Sequence, residues 1–449
     1  MNLKDQHLLV IGLGTTGLAV MDFALKRGAQ VTGVDDAPRE FWGVKVEPFE
    51  AKGALLYSTA QSDRIDWGKI ELVILSPGIP LNHPVVEEAK KRKLEIMGEI
   101  ELASRFTQSP VIGITGTNGK STTTELLGAF LREDGKNVAV GGNLGTPWVT
   151  LIDQNPSPEW TVLELSSFQL ETIQTFHPKI SMILNITDDH FERHGTMDAY
   201  IAAKARITEN QTEEDFLIFN ANDVHVLRAI EKEKAKKIPF SSTEHVKGGI
   251  FWDTRDKLES AVSGEKRNFS LAKATLQGLH NIENMMAAIA GAQLAGVDPT
   301  VIQRVLESFK ALPHRLEFVR EIDGVRYFDD SKGTNVGAVA MSLASFEEPV
   351  VLILGGKDKG GDYGVIRSLV RHKAKALVLI GEAKEKIRKA MEGAVPLFDA
   401  GSMKEAVEVA RSQAQAGEVV LLSPACSSFD MFRDYKHRGD EFQKYVKAL

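Results

Sequence analysis

Short apolar runs alternate with amphipathic stretches along the chain, and this pattern predicts β-strands connected by helices. In the first part of the chain, apolar runs begin at residues 8, 31 and 72, and residues 84–92 have a helical pattern. Runs that are apolar at every position are typical of strands buried on both faces of a parallel sheet. The pattern therefore predicts an α/β fold.

The alternation continues in two later blocks of the chain. In the middle block, strands are predicted to begin at residues 111, 161 and 181, with helices at residues 200–207 and from residue 278. In the last block, strands are predicted at residues 325–329, 350–354, 376–380 and 419–422. All three blocks therefore have the same α/β character.

The length of the chain and its breaks suggest the domain organisation. A chain of 449 residues fits roughly three domains of about 150 residues each. A turn at Ser109 and Pro110 marks residues 95–110 as a linker, and a break around Pro313 marks residues 311–315 as another. We predict domains at residues 1–97, 98–311 and 312–449.

The most informative segment for chemistry is VIGITGTNGKSTTT at residues 111–124. A strand, a glycine turn and a helix start direct backbone N–H groups and the positive helix end at one point, which suits a phosphate. Lys120 would supply a point charge for the outer phosphates, and Ser121 or Thr122 a hydroxyl ligand for Mg²⁺. The usual P-loop has its first glycine at the position of Ile114, whereas here it is Gly116. A glycine turn with a surface lysine is the alternative.

Acidic and histidine side chains follow two further strands of the middle block. Glu164 lies near the end of one strand, and Asp188, Asp189 and His190 follow the next. A carboxylate at a strand end, beside a phosphate loop, is where a Mg²⁺-binding acid is expected. Helix caps or solvated loop charges are the alternative for each acid, and Lys204 in the following helix is expected to be a solvated lysine.

The first block carries a glycine fingerprint, Gly12-x-Gly14-x-x-Gly17, followed by an acidic strand end. This pattern is compatible with NAD, with another nucleotide, or with a glycine turn that has no ligand. Ligands of open α/β sheets collect at the carboxyl ends of the strands. We therefore expect five polar residues to lie together there: Thr15, Thr16, Asp35, Asp36 and Ser76.

Two features of the later blocks suggest a nucleotide and a second ligand. Asn281 and Asn284 are three residues apart on a helix, so their amides share a face and could bind a purine edge; capping plus a polar stripe is the alternative. Three polar loops of the last block follow strands, at residues 329–335, 355–359 and 423–429. Three such loops on one strand edge indicate a site that faces another domain.

Composition narrows the class of protein. The chain is 43% hydrophobic and 26% charged, which argues against disorder, and its net charge of −7 gives no electrostatic case for nucleic acid or an anionic membrane. Cys426 is the one cysteine, so an internal disulfide is excluded, and a small buried residue is expected there rather than a nucleophile. The chain shows no leader and no apolar run of about 20 residues, so we predict a cytoplasmic protein.

Taken together, these motifs resemble the Mur ligases of peptidoglycan synthesis over nearly the full length of the chain. The segments that carry the resemblance are TGTNGKSTTT, LELSSFQL, NITDDHFERHG, AAKARI, GLHNIEN, PHRLE, DDSKGTN, GGKDKGGD and LLSPACSSFDMF. The SSFQL and SPACSSFDMF segments are similar to those of the branch that adds D-glutamate. The Asp-Asn-Pro-Arg motif of the branch that adds a diamino acid is absent.

The resemblance implies a fold and a reaction. The fold is a Rossmann-like N-terminal domain, a central P-loop ATPase-like domain and a Rossmann-like C-terminal domain. ATP phosphorylates the terminal carboxylate of UDP-N-acetylmuramoyl-L-alanine, and the amine of D-glutamate then attacks the acyl phosphate. Because a carboxylate is a poor electrophile without a better leaving group, such catalysis depends on charge neutralisation and positioning. The resemblance also implies Mg²⁺, a monomer, and no nucleic-acid partner or membrane insertion.

The resemblance assigns roles residue by residue. ATP and its Mg²⁺ would be held by Gly116, Thr117, Asn118, Gly119, Lys120, Ser121, Thr122, Asn281, Asn284, His314, Arg315 and Asp330. The catalytic residues would be Lys120, Glu164, His190 and Lys204, and the metal ligands Ser121, Glu164, His190 and Lys204, the last as a carbamate.

The two substrates have their own assigned residues. The UDP-sugar would be held by Thr15, Thr16, Asp35, Asp36, Ser76 and Asn143, although Asp36 stands where the family can have threonine. D-Glutamate would be surrounded by Lys332, Thr334, Lys359, Ser428 and Phe429, with Lys357 as an alternative to Lys359. His190 and Tyr435 are two further substrate-binding residues, and Tyr435 stands where the family often has an aromatic residue. Because ATP ligands come from two domains, we also expect domain closure.

Three other functions remain open from the sequence. The glycine fingerprint and Asp35 would suit an NAD-dependent dehydrogenase, although this leaves Lys120 and its loop unexplained. A nucleotide-binding module without turnover is the second. The third is a neighbouring Mur or folylpolyglutamate-type ligase with a different amino acid.

Overall fold

The computed structural model describes residues 1–143, 145–254, 256–276, 278–310 and 312–449. These residues form three β-sheets with flanking helices, one after another along the chain. The predicted α/β fold with three such units is confirmed. Ala311, at the second predicted boundary, and Leu144, in the predicted turn at residues 141–145, lie outside the described residues.

The first sheet is parallel throughout and has five strands. They are β1 (His7–Ile11), β2 (Gln30–Asp35), β3 (Leu55–Ser58), β4 (Leu72–Leu75) and β5 (Glu95–Gly98). The helices are α1 (Thr15–Lys26), α2 (Glu47–Glu50), α3 (Pro84–Lys91) and α4 (Glu99–Ser104). The order β3-β2-β1-β4-β5 reverses direction at β1, so the carboxyl ends of β1 and β4 form the crevice where such sheets bind ligands.

The segment at residues 95–110, predicted as a linker, begins with regular structure instead. It contains β5, which pairs with β4, and α4, whose Ile100, Leu102 and Ala103 are buried. The four residues of β5 are too few to show an apolar pattern. Only the last part of this segment connects the sheets, and the domain boundary after residue 97 stays a prediction.

The second sheet has nine strands. They are β6 (Val111–Thr115), β7 (Val138–Gly142), β8 (Trp160–Glu164), β9 (Ile180–Ile183), β10 (Phe216–Asn220), β11 (Lys236–Ser241), β12 (Ile250–Thr254), β13 (Lys257–Ser260) and β14 (Arg267–Ser270). The helices are α5 (Lys120–Glu133), α6 (Trp148–Gln154), α7 (Ser167–Leu170), α8 (Phe191–His194), α9 (Met197–Ala205), α10 (Val224–Ala229), α11 (Leu279–Leu294) and α12 (Pro299–Ser308).

The strand order of the second sheet positions the chemistry. The order is β14-β13-β12-β11-β10-β9-β6-β8-β7, parallel from β7 to β12 and antiparallel from β12 to β14. Strand β6 lies between β8 and β9, so the loops that follow these three strands are neighbours at one edge. The glycine loop, Glu164 and the loop that contains His190 therefore meet there.

The third sheet has six strands. They are β15 (Glu317–Ile322), β16 (Val325–Asp329), β17 (Val350–Gly355), β18 (Ala374–Ile380), β19 (Leu397–Asp399) and β20 (Val419–Leu422). The helices are α13 (Val336–Ala344), α14 (Arg367–Lys373), α15 (Lys384–Met391), α16 (Met403–Gln413) and α17 (Tyr435–Lys447). The order is β15-β16-β20-β17-β18-β19, and only β15 is antiparallel to its neighbour.

The four strands predicted in the last block are all present, whereas the edge strands β15 and β19 were not predicted. Both are less buried than the central strands, so neither has a continuous apolar run. The loops that follow β16, β17 and β20 lie at the edge facing the second sheet. Among the described residues, no helix combines the length and apolar character needed to cross a bilayer.

Candidate active site

The glycine loop between β6 and α5 is the centre of the site. Gly119 has a φ of 83°, and a Cβ built there would lie 2.1 Å from Asn284 Oδ1, so only glycine fits. The ammonium of Lys120 folds back onto the loop and donates to the carbonyl oxygens of Gly116 at 2.9 Å and Thr117 at 2.8 Å. Burial lowers the pKa of Lys120, against the opposing charges of Glu164 and Asp189. The lysine is therefore part of the loop and not a surface residue.

Glu164 at the end of β8 is a buried carboxylate with a free oxygen. Its Oε1 accepts a hydrogen bond from Asn143 Nδ2 at 2.7 Å, and its Oε2 has no hydrogen-bond partner among the described residues. Burial opposes ionisation, but Lys120, Ser121 and Asn143 together hold the pKa of Glu164 below its ordinary value. An ionised, buried carboxylate with an unused oxygen fits a divalent cation.

Lys204 on α9 is fully buried, so the expectation of a solvated lysine is wrong. Its Nζ donates to the carbonyl oxygen of Gly116 at 2.8 Å and lies 4.5 Å from the centre of the Tyr200 ring. Burial, reinforced by the charge of Lys120, lowers the pKa of Lys204 well below its ordinary value. Two lysines thus share one carbonyl oxygen, and burial shifts Lys204 toward its neutral amine relative to a solvated lysine.

His190 lies beside the same loop in a left-handed conformation with a φ of 56°. Its ring packs edge-on against Phe168 with 4.9 Å between ring centres, and its Nε2 lies 3.7 Å from Asp189 Oδ2. Burial lowers the pKa of His190, although Asp189 opposes this. A neutral imidazole has a lone pair for a metal or a proton. Asp188, by contrast, is exposed.

A small cavity of about 70 Å³ lies between the second and third sheets beside the glycine loop. Asn281 and Asn284 line it, as predicted for a purine site, and His280 lines it as well. Asn284 Nδ2 donates to Asn281 Oδ1 at 3.3 Å, so the two amides form a fixed pair on one helix face. Asp330 lines the cavity from the third sheet.

Asp330 is buried and already hydrogen-bonded within its own domain. Its Oδ2 accepts from Ser342 Oγ at 2.6 Å and from Ser423 Oγ at 2.7 Å. Burial raises the pKa of Asp330 to about 6, against these two hydrogen bonds. The hydrogen bond described for its Oδ1 is a long one, from the Leu316 amide at 3.3 Å, so that oxygen could also accept from a ribose hydroxyl.

His314 and Arg315, adjacent in the chain, point to different places. Arg315 Nη2 donates to Ser121 Oγ at 2.5 Å, across the boundary between the second and third sheets. His314 is buried outside the lining of the small cavity and donates through Nδ1 to Asp329 Oδ2 at 2.7 Å. The structure therefore brings Arg315 to the glycine loop, and it does not bring the His314 side chain there.

The lysines of the third sheet differ in position. Burial and the nearby Arg315 lower the pKa of Lys332 to about 7, and its Nζ lies 4.1 Å from the centre of the Tyr435 ring. Lys359 lines the space around Glu164 and His190, together with Thr334. Lys357 is exposed and is bridged to Ser427 through its backbone. Of the two lysines left open by the sequence, Lys359 is the one at the site.

Three further predicted substrate-binding residues are absent from the lining of the two cavities beside the glycine loop. Ser428 is buried and Tyr435 half-buried, and Phe429 is 69% exposed. Of the three, only Tyr435 has a described contact with another predicted site residue, Lys332. Cys426, close to this group, is buried with its pKa raised to about 11 by burial, which agrees with a structural thiol.

The residues predicted for the UDP-sugar meet at the carboxyl edge of the first sheet. Asp35 accepts from the Leu13 amide at 2.6 Å, and Ser76 Oγ donates to the Gly12 carbonyl at 2.8 Å. Asp36 accepts from Thr59 Oγ1 and from His83 Nε2. Thr15 and Thr16 begin α1 at the same edge. Asn143, the sixth of this group, lies instead beside Glu164.

Many of the predicted residues of the second and third sheets line one chamber of about 280 Å³, whereas Asn281, Asn284 and Asp330 line the smaller cavity, and His314, Ser428, Phe429 and Tyr435 line neither. The lining of the chamber includes Lys120, Ser121, Asn143, Glu164, His190, Lys204, Arg315, Lys332, Thr334 and Lys359. Five lysine and arginine side chains therefore line the chamber together with two acidic ones, the buried Glu164 and the half-buried Asp189. This arrangement suits phosphate and carboxylate groups of ligands, with the glycine loop at one end.

Sequence reasoning missed several residues of this chamber. Asn335, Asp189, Tyr200, Ser167 and Phe168 line it but were not assigned roles. Asp189 and Asn335 lie inside segments already singled out, so proximity to a motif was the available signal. Tyr200 has no such signal, because its place depends on α9 packing against the glycine loop.

The chain is similar to known proteins over its full length. Family models match in three parts: a Mur ligase MurD-like N-terminal domain at residues 6–98, a Mur ligase middle domain at residues 114–292, and a Mur ligase glutamate ligase domain at residues 314–426. The UDP-N-acetylmuramoylalanine--D-glutamate ligase of Geotalea daltonii is 43% identical and covers 100% of this chain and 99% of its own. The ligase of the same name from Syntrophotalea carbinolica is 44% identical and covers 99% and 98%.

Solved structures of low sequence identity share the fold. MurF from Acinetobacter baumannii superposes with a TM-score of 0.62 at 17% identity and covers 99% of this chain and 91% of its own. A pseudomurein peptide ligase type C from Methanothermus fervidus superposes with a TM-score of 0.61 at 18% identity and covers 99% of each chain. Both likenesses extend over all three sheets.

Proposed function

The chain belongs to the Mur ligase family, and from this premise we propose that it joins D-glutamate to UDP-N-acetylmuramoyl-L-alanine at the expense of ATP. Relatives with 43% and 44% identity over nearly the full chain are named for this reaction. The product is a peptidoglycan precursor, so the protein serves cell-wall synthesis, and with it cell shape and division. The alternative of a dehydrogenase is excluded by the family.

The chamber between the second and third sheets is the observation that carries the proposed mechanism. The carboxylate of the acceptor substrate attacks the terminal phosphorus of ATP, and ADP leaves. Lys120 and Arg315 would neutralise the phosphoryl oxygens, because both reach the glycine loop where α5 begins. Asn281 and Asn284 would bind the adenine, and Asp330 the ribose.

The second half of the reaction forms the amide bond. The amine of D-glutamate attacks the carbonyl carbon of the acyl phosphate, and phosphate leaves. Lys332, Thr334 and Lys359 line the chamber from the third sheet, and they would bind the two carboxylates of D-glutamate. Ser428, Phe429 and Tyr435 would complete that site at its margin. Closure of the third domain would exclude water from the acyl phosphate.

Two metal positions fit the residues present. Glu164 has an unused buried oxygen beside Ser121, which suits one Mg²⁺. His190 and a carbamylated Lys204 would hold a second, because a carbamate replaces the ammonium by anionic oxygens. When bound, Mg²⁺ supplies positive charge to phosphoryl oxygens. Burial lowers the pKa of Lys204 and so shifts it toward the neutral amine, which is the form that reacts with carbon dioxide.

The first sheet would hold the UDP-sugar at its carboxyl edge, through Thr15, Thr16, Asp35, Asp36 and Ser76. Asn143 would contact the same substrate from the second sheet. Arg193 of α8 donates to the carbonyl oxygen of Ile79 at 3.1 Å, so this edge is linked to the loop that carries His190. We further propose that the protein acts as a monomer in the cytoplasm.

Phosphate release with ATP, Mg²⁺ and UDP-N-acetylmuramoyl-L-alanine tests the function. Stimulation is expected with D-glutamate and not with L-glutamate, L-lysine or meso-diaminopimelate. A response to another amino acid would keep the ligase mechanism but change the substrate. Absence of any response would overturn the proposal, and residual ATP cleavage unaffected by Lys120→Ala would indicate a nucleotide-binding module instead.

The carbamate is tested separately with Lys204→Ala. This variant is expected to lose activity and to regain part of it when a short-chain carboxylate is added, since the added group replaces the missing oxygens. Lys120→Ala is the matched control, which the carboxylate should not rescue. Unchanged activity of Lys204→Ala would remove the carbamate from the mechanism.

A further inference from the structure

Asn335 connects the third sheet to two loops of the second sheet. Its Nδ2 donates to Asn118 Oδ1 and to Asp189 Oδ2, each at 3.1 Å. Asn118 belongs to the glycine loop, and Asp189 precedes His190. One amide therefore contacts both loops that carry the proposed ATP and metal ligands.

The same side chain also begins a helix. Asn335 Oδ1 accepts from the backbone amide of Ala338 at 2.8 Å, so Asn335 is the N-cap of α13. Across the boundary this oxygen accepts one further, longer hydrogen bond from Asn118 Nδ2 at 3.5 Å, whereas the NH₂ group makes the two shorter contacts with the second domain. Asn335 is nearly fully buried, at 8% exposure. The helix cap therefore fixes the direction in which the two N–H donors point.

The surrounding contact is close. A Cβ added to Gly337 would lie 3.2 Å from Thr187 Oγ1 and 3.7 Å from Asn118 Nδ2. The first turn of α13 thus packs against the loop that leads to His190. Asn335 and Asp189 also line both the chamber and an adjacent cavity of about 340 Å³, so their hydrogen bond lies between these two spaces.

We propose that Asn335 is a positioning residue, which holds the third domain closed on the glycine loop and fixes Asp189 beside His190. This inference rests on the proposed function only for its effect on turnover, since closure is a separate property of the fold. Among the described hydrogen bonds across this boundary, those that reach the glycine loop join Asn335 to Asn118 and Arg315 to Ser121. Of these two residues, Asn335 is the one that also hydrogen-bonds the loop that carries His190.

Two variants separate the contact between domains from the helix cap. Serine and aspartate are both good N-caps, so Asn335→Ser and Asn335→Asp retain the start of α13. Neither can donate to Asn118 and Asp189 together, and the aspartate places a second carboxylate against Asp189. Ser402→Ala is the matched control, because Ser402 caps α16 in the same domain, is exposed, and lies outside the chamber.

Turnover is measured first, with melting temperature as the check on folding. We expect kcat to fall about 100-fold in Asn335→Asp and by a smaller factor in Asn335→Ser, because small misplacements of reacting groups cost about this much. Melting temperatures should stay at the wild-type value. Ser402→Ala should show the opposite, a lower melting temperature with unchanged kcat. Wild-type kcat in both Asn335 variants would overturn the proposal.

Small-angle scattering provides a readout that does not depend on activity. With a non-hydrolysable ATP analogue and UDP-N-acetylmuramoyl-L-alanine, Asn335→Asp should have a larger radius of gyration than the wild type. The double variant Asp189→Asn with Asn335→Asp exchanges donor and acceptor and should regain the compact form. If Asn335→Asp has the same radius of gyration as the wild type, the proposal that Asn335 holds the third domain closed is overturned, even if the ligase activity is established. A wild type without D-glutamate-dependent turnover would overturn the function and leave the scattering result valid.

Discussion

The two boundaries between the three sheets differ in the kind of contact that forms them. Between the first and second sheets, one buried apolar cluster contains residues of both, including Phe23 of α1 and Trp148 of α6. Trp148 is fully buried and packs edge-on against Phe176, with 5.9 Å between ring centres. Arg27 and Asp153 add an ion pair between α1 and α6 at 2.9 Å. The first boundary is therefore a continuation of the core.

The boundary between the second and third sheets is polar. The contacts described there are single hydrogen bonds, such as Arg315 to Ser121 and Asn335 to Asn118, and the ligand cavities lie between them. Residues of the third sheet are absent from the apolar clusters of the other two, as far as the described residues show.

This difference identifies the boundary at which the molecule can open. Separating two apolar surfaces exposes them to water, and this costs a free energy of about 25 cal/mol for each Å² of apolar surface exposed. When a polar boundary opens, each hydrogen bond across it is replaced by hydrogen bonds to water, so breaking it costs a net free energy of only about 0.5–1.5 kcal/mol. We therefore expect the first two domains to move as one body and the third to move against them.

The largest expected effect is the loss of Arg315 at the polar boundary. Arg315→Ala should reduce kcat about 10³-fold or more, in the range known for arginines that stabilise phosphoryl transfer. The free energy of unfolding should change little, because the contact is a single hydrogen bond. Steady-state kinetics and urea unfolding measure both. Arg326→Ala, which removes a surface ion pair with Glu348 on the same sheet, is the control and should leave kcat unchanged.

Trp148 tests the apolar boundary in the opposite sense. Trp148→Ala should lower the free energy of unfolding by about 3–5 kcal/mol, because a large buried side chain is replaced by a cavity. At a temperature where the variant is folded, its KM values for ATP and D-glutamate should stay near wild type. A stable variant with altered KM would show that this boundary also moves during the reaction.

Glu99, which lies at the apolar boundary, should make the free energy of unfolding depend on pH. Its Oε1 accepts from the Val149 amide at 2.8 Å, its Oε2 has no described partner, and burial raises its pKa from 4.5 to about 7. The folded protein thus binds more protons than the unfolded chain between these values, so stability falls as pH rises through this window and is level above it. The total effect is about 3 kcal/mol.

Glu99→Gln should remove this slope, because an amide accepts the same hydrogen bond without ionising. Urea unfolding between pH 5 and pH 8 would detect the change, with the variant more stable than the wild type at the upper end. If the slope is the same in the variant and the wild type, Glu99 is not its source.

The smallest expected effect concerns Lys332, whose pKa of about 7 reflects burial and the nearby Arg315. The charged form binds a carboxylate, so kcat/KM for D-glutamate should fall about tenfold per pH unit above that pKa. Lys332→Arg should flatten this profile, because an arginine stays charged. The pH dependence of kcat/KM for ATP serves as the control and should be shallower than that for D-glutamate.

The local pattern of apolar and polar residues determined the strands that the catalytic and binding residues follow. Lys120 and Ser121 follow a strand and a glycine turn in sequence, so their place at a helix start could be predicted from residues 111–124 alone. The same holds for Glu164 and His190, because parallel strands bring their carboxyl ends to one edge. The edge strands β15 and β19 lacked this signal, since they are only partly buried and their sequences mix polar and apolar residues.

The tertiary structure decided what depends on contacts between distant segments. Lys204 is buried because α9 packs against the glycine loop. Arg315 and His314 are adjacent in sequence but point to different places, because the His314 side chain hydrogen-bonds to Asp329. Asn335 acquires its second set of partners only when the third sheet meets the second. Sequence periodicity reports the face that each element buries, and it contains no record of which neighbour covers that face or how closely it approaches.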